Sequence, residues 1–376
     1  MSFNLSNSKK NTPASYWPVK VLGIVGTAAA VGYGLRLNRQ LKILNTSLNR
    51  ERVFNDDFQA KKLGRYYYSY FPSYLQPEFY PPEVDENGIP VNDYSKKLLI
   101  RGVTGRHYNP LTVSHWVLGA FDDFLRTGNP ADYKLFLRRA NWLVDNLRET
   151  PAGVGYWYYQ VDWGPPYNVK APFASAMAQG FGLSGLMRAY QYTDNQVYLE
   201  TAQKALKSFE VSVYDGGVMA KDDRGNTFYE EIPSLPPHHI LNGHIFALFG
   251  LHDYYRATGC EQARLLFEAG AEAVRNRLPD YDAGFWSRYS LDPNPTWRNH
   301  WNIASPIYQA VHIDQLRFLE YITGDHSFGQ WANRWQKQMS GPVRLLLSLL
   351  VIGFKDSVML NKKFKQWRRN LSKAGS

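Results

Sequence analysis

The sequence predicts a mainly α protein: an α/α toroid, or incomplete α/α barrel, of helical hairpins. A short N-terminal β-hairpin and membrane-associated segments at both ends complete the expected architecture. Three observations carry this. A helix-ending signal recurs as Arg126-Thr127-Gly128-Asn129, Tyr192-Thr193-Asp194-Asn195, Ala257-Thr258-Gly259-Cys260 and Ile322-Thr323-Gly324-Asp325, its threonines 66, 65 and 65 residues apart. Amphipathic stretches of helical period flank every signal. Long return segments then separate one pair of stretches from the next, giving a period too long for a compact helical solenoid and suited to a toroid.

At the N-terminus, Val21 to Leu35 is apolar and uncharged between Lys9, Lys10 and Lys20 on one side and Arg36, Arg39 and Lys42 on the other. The run is short of the roughly 20 residues a spanning helix needs, unless it starts at Trp17 with Lys20 snorkelling. A single-pass signal anchor is the favoured reading, with a cleaved signal peptide or a soluble Gly/Ala-rich segment as alternatives. Basic residues on both sides leave the orientation open. Residues 1–63 are therefore assigned to an anchor and a polar linker helix over Ile43 to Leu63. Residues 64–109 read as extended. They hold Tyr66-Tyr67-Tyr68, several prolines and Asp85-Glu86-Asn87-Gly88, and Asn-Gly is a hairpin-turn signal.

Residues 110–340 form the repeat. The inner helices are expected over Leu111 to Arg126, Ala174 to Tyr190, Ile240 to Arg256 and Ile303 to Tyr321. The outer helices are expected over Pro130 to Leu147, Val197 to Phe209, Glu261 to Leu278 and Phe328 to Gln338. Gly or Asn after the last turn supplies the left-handed residue of a helix C-terminus, and polar residues then cap the next helix. The return segments Pro151 to Phe173, Tyr214 to Pro237 and Pro279 to Trp301 should line the mouth of the central cleft, where loop length points to function. Residues 341–376 begin with the apolar run Leu345 to Phe354. Lys355, Lys362, Lys363, Lys365, Arg368, Arg369 and Lys373 follow it. This tail either lies on an anionic membrane surface or is a last core helix with a solvated basic end.

The formal net charge of +10 favours a polyanionic partner, but the two ends carry much of that excess. A single cysteine, Cys260, excludes an internal disulfide and a structural Cys-based zinc site. The sequence contains no Gly-rich phosphate loop, His-Glu-x-x-His helix or nucleophile elbow, which argues against nucleotide, metal and acyl-enzyme chemistry. His238, His239 and His244 do not share a helix face and read as cap and cleft residues. What remains is a set of tyrosines and carboxylates in the return segments. These are Phe228-Tyr229-Glu230-Glu231-Ile232-Pro233, then Tyr281-Asp282, Trp286, Arg288 and Tyr289, with Tyr308 and His312 sharing a face of the last inner helix at i and i+4. Any one of these tyrosines is ordinarily a core residue; their convergence from adjacent repeats points to a site.

These residues carry a resemblance. Ser175-Ala176-Met177-Ala178-Gln179-Gly180, Leu186 to Tyr190, Tyr229 to Glu231 with Pro233, Leu241-Asn242-Gly243, Leu278 to Asp282, Tyr289, and Tyr308 with His312 to Leu316 stand in the order of the C-terminal domain of D-glucuronyl C5-epimerases. The likeness runs from about Tyr108 to Trp335, and Tyr108-Asn109-Pro110 loosely resembles the family's approach to the first toroid helix. It implies inversion of C5 of D-glucuronate to L-iduronate within a heparosan-like acidic polysaccharide, without a redox cofactor. It implies no nucleic acid and leaves a homodimer open. By the resemblance Tyr289 and Tyr308 are catalytic tyrosines and Glu231 is the acidic residue beside them. Tyr229, Glu230, Asn242, Arg288, His312, Tyr108 and Gln179 would bind substrate. In the family the acidic motif is usually followed by a further tyrosine; here Ile232 stands there. The remaining tyrosines suffice, or Tyr229 substitutes, or the activity differs. The family's large preceding β-domain is matched here only by the short extended stretch before Tyr108.

The chemistry suits such residues. C5–H is α to a carboxylate, so its removal gives an enolate dianion that needs hydrogen-bond donors: Arg288, Asn242, His312 or a protonated Glu231. Crowding of Glu230 and Glu231 would raise the pKa of one of them. Tyr289 and Tyr308, from different loops, are expected to flank the sugar, one acting as acid and one as base. A uronate polysaccharide lyase shares the first step, and a non-catalytic membrane-tethered glycan-binding protein is the alternative from another class.

Overall fold

The structure, a computed structural model, describes residues 56–67, 83–94, 105–164, 166–293, 302–341, 346–347 and 350. Among them are four helical hairpins. The inner helices are α1 (Pro110–Thr127), α3 (Ala176–Thr193), α5 (Leu241–Thr258) and α7 (Pro306–Thr323). The outer helices are α2 (Pro130–Asn146), α4 (Gln196–Leu206), α6 (Glu261–Tyr281) and α8 (His326–Ser340). Each inner helix packs on its own outer helix and on the next inner helix, so the hairpins stand side by side in chain order.

One device makes all four hairpin turns, which explains the recurring threonine. The hydroxyls of Thr127, Thr193, Thr258 and Thr323 donate to the carbonyls of Asp123, Ala189, Tyr254 and Leu319 (2.6–2.9 Å). The same hydroxyls accept the backbone N–H two residues on, at Asn129, Asn195, Cys260 and Asp325. The residue between them is left-handed in every turn: Gly128, Asp194, Gly259 and Gly324. Asn129, Asn195 and Asp325 then cap the outer helices through their side chains.

A second device recurs in the first turns of the inner helices. Gln179, His244 and Gln309 are 65 residues apart and fully buried. Gln179 Oε1 accepts from Trp157 N (3.0 Å), and its Nε2 donates to Gly155 O and Ser208 Oγ. His244 Nδ1 accepts from Tyr229 N (2.9 Å), so Nε2 carries the proton and donates to Gly270 O (3.0 Å). Gln309 Oε1 accepts from Ser287 N (2.9 Å), and its Nε2 donates to Trp335 O. Each side chain thereby ties a return segment to an inner helix, and onward to the outer layer. Inner helices α3 and α5 meet backbone to backbone: a Cβ on Gly250 would lie 2.2 Å from the Gly180 carbonyl oxygen.

The expected helix ends hold to within three residues or so, with one instructive shift. Pro279, expected to begin the third return segment, lies inside the last turn of α6. The helix runs on to Tyr281, whose buried ring lets its hydroxyl donate to His239 O (2.6 Å). The return segments carry small two-stranded ribbons: β4 (Arg148–Glu149) with β5 (Gly155–Tyr156), β6 (Tyr158–Tyr159) with β7 (Phe173–Ala174), and β8 (Met219–Lys221) with β9 (Thr227–Tyr229).

Before the repeat, β1 (Glu83–Val84), β2 (Pro90–Asp93) and β3 (Arg106–His107) form an antiparallel sheet. Asp85 accepts from Asn87 N and Ile89 N, and Gly88 turns with φ +74°. Arg138 and Arg139 of α2 bind the Asn87 and Gly88 carbonyls, docking this turn on the outer layer.

The expected linker helix is not helical where described: residues 56–63 run as turns and bends. The physical reason is that their carbonyls are taken by guanidinium groups. Arg256 binds Ala60 O and Asp57 O, and Arg188 binds Gly64 O. This strap, residues 56–67, crosses the C-terminal ends of all four inner helices. It reaches Asp122 of α1, Arg188 and Gln191 of α3, Asp253 and Arg256 of α5, and Tyr321 and Ile322 of α7. Phe58 and Phe249 stack on the two sides of Tyr67 at 4.5 Å. At its centre the wholly buried pair Arg188–Asp253 (2.7 Å) is joined by Arg256 (3.3 Å) and the Tyr67 hydroxyl (2.7 Å).

The expected anchor, residues 21–35, and most of the apolar run at 345–354 lie outside the described residues; Leu346, Leu347 and Leu350 are described and exposed. Among the described residues no helix is long and apolar enough to cross a membrane.

Removing Asp253 would leave two buried guanidiniums short of their counter-charge. Asp253→Ala should lower unfolding free energy by about 3–5 kcal/mol in chemical denaturation. A loss under about 1 kcal/mol would show that the strap network is not structurally important.

Candidate active site

The inner helices present their N-terminal ends away from the strap, and the return segments gather there. Ser305 caps α7 by accepting from Tyr308 N, which fixes Tyr308 in the first turn. Tyr289 lies in the extended return before α7, where its N–H donates to Asn302 O (2.7 Å) and its carbonyl accepts from Leu241 N at the start of α5 (3.2 Å). These two anchors set the rings of Tyr289 and Tyr308 edge to face, with centroids 4.8 Å apart. Burial, the charge of Glu231, the neighbouring Tyr308 and Tyr167, and a side-chain hydrogen bond to Tyr308 together push the Tyr289 hydroxyl well above the ordinary tyrosine range.

Glu231 follows β9. It lies directly over the first turn of α5, where only a glycine leaves room: a Cβ on Gly243 would fall 2.4 Å from the Glu231 carboxylate. Asn242 Nδ2 reaches Glu231 Oε2 at 3.5 Å, and Asn242 Oδ1 is buried without a partner among the described residues. Gln315 of α7 donates to Asn242 O (2.8 Å) and locks this turn to the neighbouring inner helix.

Tyr289, Tyr308, Glu231 and Asn242 are thus brought together. Arg288 precedes Tyr289 and is half-buried, its N–H donating to Tyr281 O. The other expected substrate contacts are committed elsewhere. Gln179 is the buried bridge of the second hairpin. The Tyr229 hydroxyl donates to Leu266 O of the outer layer, so Tyr229 does not replace the hydroxyl missing at Ile232, itself a buried core residue. Glu230 binds His239 through both oxygens, accepting from its backbone N–H (3.1 Å) and paired with Nδ1 (2.6 Å), which turns it from Glu231. The Tyr108 hydroxyl donates to Asp85 (2.8 Å) and its ring meets Trp142, placing it on the outer-layer hairpin.

His312 sits one turn below Tyr308, wholly buried. The Ser287 hydroxyl donates to Gln309 Oε1 (2.5 Å) and so accepts from His312 Nδ1 (2.9 Å). That leaves Nε2 as a bare acceptor with no partner among the described residues. Burial pushes the imidazole down to about 3. His312 is therefore neutral at physiological pH and supplies no cation to an enolate. Among the described residues no cluster of His, Cys, Asp or Glu suits a metal ion.

Sequence reasoning missed Tyr167. It stands on a tight loop closed by paired hydrogen bonds between Trp163 and Val169 (2.8 and 2.9 Å) and braced by the Lys170–Asp162 ion pair (2.5 Å). Asn168 beside it is left-handed, at φ +52°. A cavity of about 480 Å³ opens here, walled by Tyr167, Asn168, Pro233, His238, Asp292 and nearby prolines. Tyr167 lies close enough to the tyrosine pair for electrostatic coupling: the charges of Glu231 and Tyr308 bear on its hydroxyl, and it bears on that of Tyr289. The signal in the sequence was position alone: a tyrosine among turn-forming residues in a long return segment.

The family model for the D-glucuronyl C5-epimerase C-terminus matches residues 152–337. A D-glucuronyl C5-epimerase of Caenorhabditis elegans is 33% identical over 215 residues, 53% of this chain and 34% of that protein. The chain therefore spans about a third of that relative's length. An uncharacterized protein of Methanocaldococcus jannaschii is 27% identical over 227 residues, 57% of this chain and 71% of that protein. Among solved structures, UGL in complex with dGlcA-Glc-Rha-Glc aligns at TM-score 0.41 and 17% identity, covering 61% of this chain and 60% of that one. A polysaccharide lyase aligns at TM-score 0.32 and 14% identity, covering 80% and 45%. Both scores are too low to inform the chemistry of this chain.

Because folded His312 resists protonation, the unfolded chain gains its proton as pH falls below about 6.5, and stability is lost from there down towards the folded value. The urea midpoint of the parent should drop more steeply between pH 7 and 4 than that of His312→Gln. Equal slopes would contradict a buried neutral imidazole. The residues that surround this site, from the Glu231 motif to the α7 helix, fall within the matched segment, and by that segment the chain belongs to the D-glucuronyl C5-epimerase family.

Proposed function

We propose that this chain is a uronosyl C5-epimerase converting D-glucuronate to L-iduronate within a heparosan-like acidic polysaccharide. The observation that carries the reading is the convergence of Glu231, Tyr289 and Tyr308, from two return segments and one helix N-terminus, at the open end of the helical hairpins. The family match supplies the reaction class.

Proton abstraction at C5 needs a base near the sugar and donors for the enolate that forms. Tyr289, whose hydroxyl burial helps to hold protonated, is a donor at neutral pH. Glu231, hydrogen-bonded to Asn242 and electrostatically coupled to Tyr289, is the group that drains the abstracted proton. C5–H passes to a tyrosine oxygen as that tyrosine gives its own proton to Glu231, so the first face gains one proton overall. The opposite face must return one to C5. Tyr308 is about a third exposed, which lets the proton relay exchange with solvent. The terminal segments, in this proposal, hold the enzyme at a membrane surface where a growing polymer is met.

The test is incubation with heparosan in D2O, followed by NMR of the uronate. Deuterium at C5 together with iduronate is the expected result, and Tyr289→Phe, Tyr308→Phe or Glu231→Gln should each lower the rate by about 10²–10⁴-fold with polymer binding kept. A 4,5-unsaturated uronate would move the protein to the lyases. Binding without exchange in the parent would make it a glycan-binding protein.

A further inference from the structure

Resting on the epimerase reading above, we propose that Tyr167 is the acid/base group of the second sugar face, opposite Tyr289, Tyr308 and Glu231. Inversion at C5 requires the proton to leave one face of the ring and return on the other. The sequence suggested that Tyr289 and Tyr308 flank the sugar. Their rings are edge to face at 4.8 Å and hydrogen-bonded to each other, which leaves no space for a pyranose between them. They form one wall and serve one face, and the second face needs a group from elsewhere.

The return segment before α3 supplies it. Tyr167 walls the cavity together with Pro233, just after Glu231, and Asp292, just after Tyr289, and its hydroxyl is electrostatically coupled to Glu231, Tyr289 and Tyr308. Its ring is held edge-on against His238 at 4.9 Å, and its loop is fixed by the Trp163–Val169 pairing. The left-handed backbone at Asn168 is the sort of local strain that aims a side chain at a site. Electrostatics agree with the placement: burial and then the charges of Glu231 and Tyr308 raise the Tyr167 hydroxyl above the ordinary tyrosine range. A hydroxyl that stays protonated is suited to hand a proton to the enolate carbon. The proton count closes: C5 loses one proton to the Tyr289–Tyr308–Glu231 wall and receives one from Tyr167. Solvent then returns one proton to Tyr167 and takes one from the wall.

The parent and Tyr167→Phe are each incubated in D2O with heparosan and with an iduronate-containing polymer, with thermal melts run alongside. We expect inversion by Tyr167→Phe to fall about 100-fold or more with an unchanged melt. One epimer, that whose C5–H faces the tyrosine pair, should still wash in deuterium with retained configuration. Inversion within about threefold of the parent would overturn the assignment. So would loss of exchange from both epimers, which would make Tyr167 a binding residue only. A parent that exchanges neither polymer removes the epimerase reading itself, and this assignment with it.

Discussion

The structure depends on a buried polar side chain repeated at the same place in three hairpins. Gln179, His244 and Gln309 each satisfy a return-segment N–H that has no strand partner of its own, and each spends its remaining donor on the outer layer. A buried backbone N–H left unpaired costs about 1–3 kcal/mol, so each bridge fixes where its loop crosses the helix. Two of the candidate catalytic side chains lie within two residues of these crossings: Tyr289 beyond Ser287, and Glu231 beyond Tyr229. The scaffold thus positions its chemistry by hydrogen bonds to the backbone rather than by long sheets.

The other end of the helices is treated oppositely. There the strap spans all four inner helices and buries an Arg–Asp–Arg–Tyr network beneath it. The floor is held by a buried ion network, and the mouth is built of loops. The polar network at the floor also selects one arrangement of the inner helices, since a shifted helix would strand a buried charge.

Much of this was legible in the sequence, and the rest failed for physical reasons. The threonine period located all four turns because the same two hydrogen bonds recur in each. The inner helices were found because amphipathic period and caps agree. Motif residues were harder. Glu231, Tyr289 and Tyr308 converge at the open end, whereas Tyr229, Glu230 and Gln179, equally prominent in the motif, are held by internal hydrogen bonds. A motif reports what a fold needs as well as what a reaction needs, and only three-dimensional partners separate the two. Tyr167 was missed for the converse reason: it belongs to a loop whose aim is set by local turn geometry. The strap was missed because its conformation is dictated by arginines about 120 to 200 residues away in sequence.

The central claim is that one sugar sits between two walls, Tyr289–Tyr308 with Glu231 on one side and Tyr167 on the other. The measurement that tests it most directly is a crystal structure with a glucuronate-containing oligosaccharide. The account predicts a uronate in the cavity, with its C5 within about 3.5 Å of a wall hydroxyl on each face and its carboxylate near Asn242. A uronate bound with both tyrosine walls on the same face of the ring, or seated away from Glu231, would contradict it.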